Sequence, residues 1–247
     1  MKPQILIFAD DDFQYGLEQG MYPDLAIKTK FGTVQVENLS SYKEGLWNVN
    51  TPPSGDKDIY FLNPYTEQYL AIGSVAEDEA SLAMKLVTDK AAVIKEAFVR
   101  MGAKHITLID TIEDKDKSEK CASASGGNNF ASGGGDLEYN KELSVKINST
   151  IESHDPEREP KPYEEVKQYV IDHGLDGDGQ IKSLLSRLES DGGISGTEKY
   201  ECTFLSELKS SLNIAAHIET PSIHGSADFG NKHSHIHEIT KKITLEF

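Results

Sequence analysis

The run His233-Ser234-His235-Ile236-His237 is the densest set of histidines in the chain. On a β-strand, alternate residues share a face, so these three imidazoles would stand in a row about 7 Å apart. Two or three such histidines can bind zinc or another divalent metal. A two-residue turn at Gly230-Asn231 would pair Asp228 with His233, Ser226 with His235 and His224 with His237. That register gathers His224, Asp228, His233, His235 and His237 as candidate ligands, the donor set of a metal-dependent hydrolase. A three-residue turn would instead pair Phe229, Ala227 and Gly225 with the histidines and Ile223 with Ile239. It keeps the apolar residues together, which is what normally sets register. In that case no cofactor is expected, and the histidines form a structural ladder.

Asp10-Asp11-Asp12 follows a strand-like run, Ile5–Ala9. Over fewer than ten residues this resembles the magnesium-binding acidic pair of receiver and haloacid-dehalogenase-like phosphotransfer folds. The likeness stops there: Gln14 stands where a phosphatase wants Thr or Val, and Asn63-Pro64 where a receiver places its phosphorylated aspartate. No good helix is expected after the aspartates, so they are expected to be a solvated strand end. Asp176-Gly177-Asp178-Gly179-Gln180-Ile181 resembles the middle of an EF-hand loop, but Gly174 and Leu185 occupy its first and last ligand positions. Without those carboxylates a tight inter-helix turn is the better account. The glycine-rich stretch lacks the Lys-Ser/Thr ending of a phosphate loop, and no Gly-x-Ser-x-Gly elbow is present. An enzymatic assignment would therefore rest on the histidines alone.

The elements that must position these residues begin with β-like runs at Ile5–Phe8, Thr33–Val36 and Ile59–Leu62, separated by Gly, Pro and Asn/Asp clusters. From about Asp78 to Met101, apolar residues recur at helical steps, with Thr88-Asp89 as a candidate break and Gly102 placed as a left-handed cap. His105–Asp110 reads as a strand. A stretch from Ser123 to Gly135 then holds five glycines and a single aromatic, Phe130. Beyond it Leu137, Tyr139, Leu143, Val145, Ile147 and Ile151 occupy odd positions, which predicts one long amphipathic strand. Phe130, Gly126, Gly127, Gly133, Gly134 and Gly135 would form the tip of its hairpin. Helices are expected from Tyr163 to His173, from Gln180 to Leu188 and over Leu205–Ile218, with Tyr200, Cys202 and Phe204 alternating as a strand. Ile239, Ile243, Leu245 and Phe247 fall on one parity of a return strand.

The fold expected is α+β: a mostly antiparallel twisted sheet with long amphipathic hairpins and several packed helices. Residues 1–247 are expected to form a single domain, with a subdivision near 155–162. Apolar residues make up 37% of the chain, enough for a folded core. Lys and Arg total 25 against 41 Asp and Glu, a net charge of −16, which argues against nucleic-acid binding. Two cysteines, Cys121 and Cys202, fit a reducing compartment better than a disulfide framework, so the expected location is cytoplasmic. The function expected is non-enzymatic binding or assembly. A protein partner or a second copy would contact the hairpins and the glycine-rich loop. A hairpin that inserts into a membrane as part of a β-barrel pore, after a conformational change, is the first alternative, and the metal-dependent hydrolase the second.

Overall fold

Where a strand is buried on both faces its sequence is a continuous apolar run, and β1, Ile5–Ala9, is fully buried at every position. It lies at the centre of a four-stranded mixed sheet in the order β2-β1-β3-β4, with β2 at Val34–Asn38, β3 at Lys57–Leu62 and β4 at Tyr69–Ile72. β1 runs parallel to β2 and antiparallel to β3, which pairs antiparallel with β4. The computed structural model describes residues 2–43, 45–54, 57–72, 79–109, 133–206 and 239–247. Helices and antiparallel and mixed sheets make the chain α+β. It divides into two compact units, residues 1–86 with 205–236, and residues 87–204 with 237–247.

In the first unit the parallel pair needs a crossover, and helices α1 (Asp11–Glu18) and α2 (Pro23–Lys30) supply it. A helix thus does follow the aspartates, contrary to the sequence-based expectation. Asp10 is its N-cap and accepts a hydrogen bond from the Phe13 amide at 2.9 Å, while Asp11 and Asp12 sit in the first turn, where negative charge is favourable. Pro23 begins α2 with its φ already helical.

The second unit is built on a four-stranded antiparallel sheet in the order β6-β5-β8-β7. Its strands are β5 (His105–Ile109), β6 (Ser153–His154), β7 (Thr197–Phe204) and β8 (Ile239–Glu246). Burial alternates along β8, so this sheet has one packed and one wet face. Helix α3, Glu79–Arg100, runs unbroken through Thr88-Asp89, and its Phe98 meets Tyr200 of β7 edge to face at 5.0 Å between centroids. Gly102 follows with φ +92, and a Cβ there would lie 3.0 Å from the Pro160 nitrogen, so both backbone conformation and space call for glycine. Helices α5 (Tyr163–Asp172) and α6 (Gly179–Asp191) follow the expected pattern, with Asp178 capping α6 and the left-handed Gly192 ending it.

The segment expected to be a long strand is helix α4, Gly133–Ile151. Leu143, Ile147 and Ile151 are fully buried at four-residue steps, while Val145, on the same strand parity, is 60% exposed. The odd-numbered apolar row contained a helical stripe, and Lys141 interrupted its two-residue period. Gly133, Gly134 and Gly135 accordingly begin a helix rather than form a hairpin tip. The expected long hairpin therefore loses the strand that defined it. The return strand is β8, with Ile239, Ile243 and Leu245 buried as expected, and its neighbours are β7 and β5.

Candidate functional site

The first unit's sheet has two chemically different faces. Ile5, Ile7, Ile59, Phe61, Leu70 and Ile72 share one by register. Leu6, Phe8, Tyr60, Tyr69 and Ala71 cluster on the other, and Leu39, Tyr42, Trp47, Val49 and Leu62 pack against them. Four of those five partners come from the connection between β2 and β3, which after a short 3-10 turn at Leu39–Ser41 has no regular element among its described residues. Long connections of this kind are commonly functional.

The connection is held by backbone and side-chain bonds. The Tyr69 amide donates to the Asn48 carbonyl at 2.7 Å, and the Asn50 amide to the Tyr69 carbonyl at 2.9 Å. Val49 thereby bridges Tyr69 in parallel fashion along the edge of β4, and the Ala71 amide donates to Asn50 Oδ1 at 2.8 Å. The Tyr60 hydroxyl donates to the Thr51 carbonyl at 3.0 Å. A sheet edge that would otherwise present unpaired groups is closed by the loop.

These bonds fix an aromatic cluster centred on Phe8. Its ring meets Tyr42, Tyr60 and Trp47 edge to face at 5.3, 5.9 and 6.5 Å between centroids, and Trp47 meets Tyr69 in the same way at 5.9 Å. Beside it lies a cleft of about 600 Å³, within the size range of ligand pockets. Tyr42, Leu46, Trp47, Val49, Pro52 and Tyr69 give it apolar walls, and Lys2, Asn48, Asn50 and Glu67 give it polar groups. Trp47 is half-buried and is the only tryptophan of the chain, while Leu46 is 69% exposed at the margin.

The rim has an unusual backbone. Glu67 adopts φ +53, a left-handed conformation uncommon for a residue with a side chain. It places the Glu67 carboxylate 2.7 Å from Lys2 Nζ and its carbonyl 3.3 Å from Asn48 Nδ2. Burial, reinforced by the Glu67 charge, pushes the Tyr69 hydroxyl up to about 12, and it donates to the Pro3 carbonyl at 3.0 Å. Tyr69 therefore stays protonated at neutral pH and Glu67 is ion-paired, so these two groups suit holding a ligand better than transferring its protons.

The residues singled out from sequence are distributed differently. Asp10 caps α1, and Asp11 accepts a hydrogen bond from the side chain of Asn38 at the end of β2. Among the described residues no group of three or more His, Cys, Asp or Glu is placed to hold a metal ion. His224, Asp228, His233, His235, His237, Gly126, Gly127 and Phe130 lie outside the described residues. So do Cys121 and most of the expected Leu205–Ile218 helix. Cys202 is buried in β7. None of the cleft residues was a sequence candidate. The available signal was an aromatic and apolar set, Tyr42, Leu46, Trp47 and Val49, inside a stretch otherwise composed like a loop. No helix among the described residues is long and apolar enough to cross a membrane. Comparison of the chain with family models, with curated proteins and with solved structures gives no match.

Proposed function

We propose that the protein is a non-enzymatic binding protein whose working site is the aromatic cleft beside β4. The binding role expected from sequence is kept, and its location moves from the hairpin tip to this cleft. The observation that carries the proposal is the placing of the single tryptophan, half-buried, in a cleft of about 600 Å³ walled by Tyr42 and Tyr69. Aromatic side chains give large contact area at little entropic cost, because each has only two rotatable side-chain bonds to fix. A second support is the left-handed Glu67 at the rim, since backbone strain concentrates at functional positions.

The ligand we propose is an extended, proline-bearing segment of a protein partner. Such segments dock on aromatic-lined grooves because their polyproline conformation is already formed and little entropy is lost on binding. Asn48, whose side chain makes only a long 3.3 Å bond to Glu67, is available to meet a peptide carbonyl.

The test is a fluorescence titration. Trp47 is the only tryptophan, so its emission should shift saturably as a proline-rich peptide is added. Trp47→Ala, followed by calorimetry, should weaken binding by about tenfold or more, the loss of an aromatic anchor. Emission that stays constant up to millimolar peptide, with no heat of binding, would overturn the proposal.

A further inference from the structure

On the wet face of the second unit's sheet, register aligns His154 of β6, His105 of β5 and Glu246 of β8 in one cross-strand row. The two imidazoles are in contact, with centroids 4.6 Å apart and planes inclined at 65°. Glu246 Oε2 lies 3.7 Å from His105 Nδ1. Both histidines reach solvent, His105 with 39% of its side chain exposed.

We propose that His105 and His154 form an open site for a divalent transition-metal ion. The spacing suits this. With a metal–nitrogen bond of about 2.0–2.1 Å, each ring centre stands roughly 3.2 Å from the ion. Two rings at a right angle around it are then about 4.5 Å apart. The observed 4.6 Å is compatible with two cis ligands on a shared ion. The carboxylate adds a second support. A metal-bound histidine commonly turns its other ring nitrogen to a carboxylate, which fixes its orientation. Glu246 lies on the Nδ1 side of His105 at 3.7 Å, and closing to hydrogen-bond distance there would leave Nε2 for the metal.

The backbone carrying the pair is fixed from both sides. The Lys104 amide donates to the Glu246 carbonyl at 2.6 Å, and the Asp155 amide to the Lys104 carbonyl at 2.7 Å. Arg158 donates to the Ala103 carbonyl at 2.6 Å and to Ser153 Oγ at 3.1 Å, tying the chain around both histidines together. With no third ligand among the described residues, water would fill the remaining positions, and the order of preference follows ligand chemistry, copper(II) ahead of nickel and zinc. A bound ion would clip the two-residue strand β6 to β5.

The test is isothermal titration of the untagged full chain with Zn2+ and Cu2+. His154→Asn changes an exposed residue and should remove one bound ion relative to the parent chain. The difference between the two chains is the readout, because histidines elsewhere in the sequence can bind ions of their own. Glu246→Gln should keep the ion but weaken it by about 10- to 100-fold, the usual cost of losing a carboxylate behind a histidine ligand. Zn2+ should raise the melting temperature of the parent chain more than that of His154→Asn. The same stoichiometry and affinity in His154→Asn and the parent, or no bound ion in the parent, would overturn the proposal.

Discussion

The two sheets differ in the composition of their strands and in how many of their faces are covered. In the first unit β1 is buried at all five positions, and β3 beside it and β4 beyond are apolar along most of their length. In the second unit β7 and β8 alternate, with Tyr200, Cys202, Phe204, Ile239, Ile243 and Leu245 inward and Lys199, Glu201, Thr240, Lys242 and Thr244 on the wetter face. The difference has a functional side. Regular helices supply much of the second unit's core, whereas the aromatic face of the first sheet is covered by an irregular loop. A loop leaves gaps where a helix would interlock, and the cleft beside Trp47 is such a gap.

The sharpest way to break this contrast is at Phe8, which holds the aromatic face together. Phe8→Ala should cost about 3–5 kcal/mol, the range for emptying a large aromatic site in a core. Trp47 lies in the first unit, so denaturant unfolding followed by its fluorescence reads that unit selectively. A loss below about 1 kcal/mol would mean that the loop repacks and that the cluster is not a core.

The second unit offers a parallel test of its helical layer. Ile147→Ala should cost about 2–5 kcal/mol, while Val145→Ala should stay within about 0.5 kcal/mol. On a strand the two side chains would share a face and the substitutions would behave alike. Gly102→Ala comes next, at about 1–3 kcal/mol, because alanine is strained at φ +92 and meets Pro160. Hydrogen exchange followed by mass spectrometry should place its effect at the end of α3 and at residues 158–162.

Alkali should act on both units. Burial raises the hydroxyl pKa values of Tyr60 and Tyr69 in the first and of Tyr200 in the second above the ordinary 10.0. A raised folded-state value means that the native chain holds a proton the unfolded chain releases. The stability is therefore complete below pH 10 and lost as the pH rises, through about 12 for Tyr69 and further for the other two. At pH 11 each contributes at most about 1.4 kcal/mol of loss. Ultraviolet titration should show these tyrosines ionising together with unfolding. The smallest effect belongs to Lys2 and Glu67, whose exposed ion pair should change stability by less than about 1 kcal/mol in Glu67→Gln.

Much of this architecture is legible in the sequence wherever one signal dominates. Helix α3 shows through its apolar period and Gly102, α5 through the prolines before it, α6 through Asp178 and Gly192, and β7 and β8 through clean alternation. Three parts are not. Helices α1 and α2 are too short for a period to emerge, and their evidence is confined to Asp10 and Pro23. In α4 the two-residue and four-residue periods coincide at Leu143, Ile147 and Ile151, and only the exposure of Val145 separates them. The cleft is hard to see because residues of the 42–52 connection meet Lys2, Glu67 and Tyr69 of β4, and no local pattern encodes that meeting. The histidine pair is similar: His105 and His154 are unremarkable singly and become a pair only through the register of β5 and β6.

The strand order β6-β5-β8-β7 has a kinetic consequence. β8 is the last strand of its sheet to be synthesised, yet it fills the position between β5 and β7, which do not pair with each other. Until residues 239–246 leave the ribosome, β7 has no described neighbour in the sheet and β5 has only the two residues of β6. Closing the sheet then requires contacts between chain segments far apart in sequence, which is slow because the loop-closure entropy must be lost first. During that interval the edges of β5 and β7 that β8 will occupy lack their partner strand, and unpaired strand edges favour association between chains.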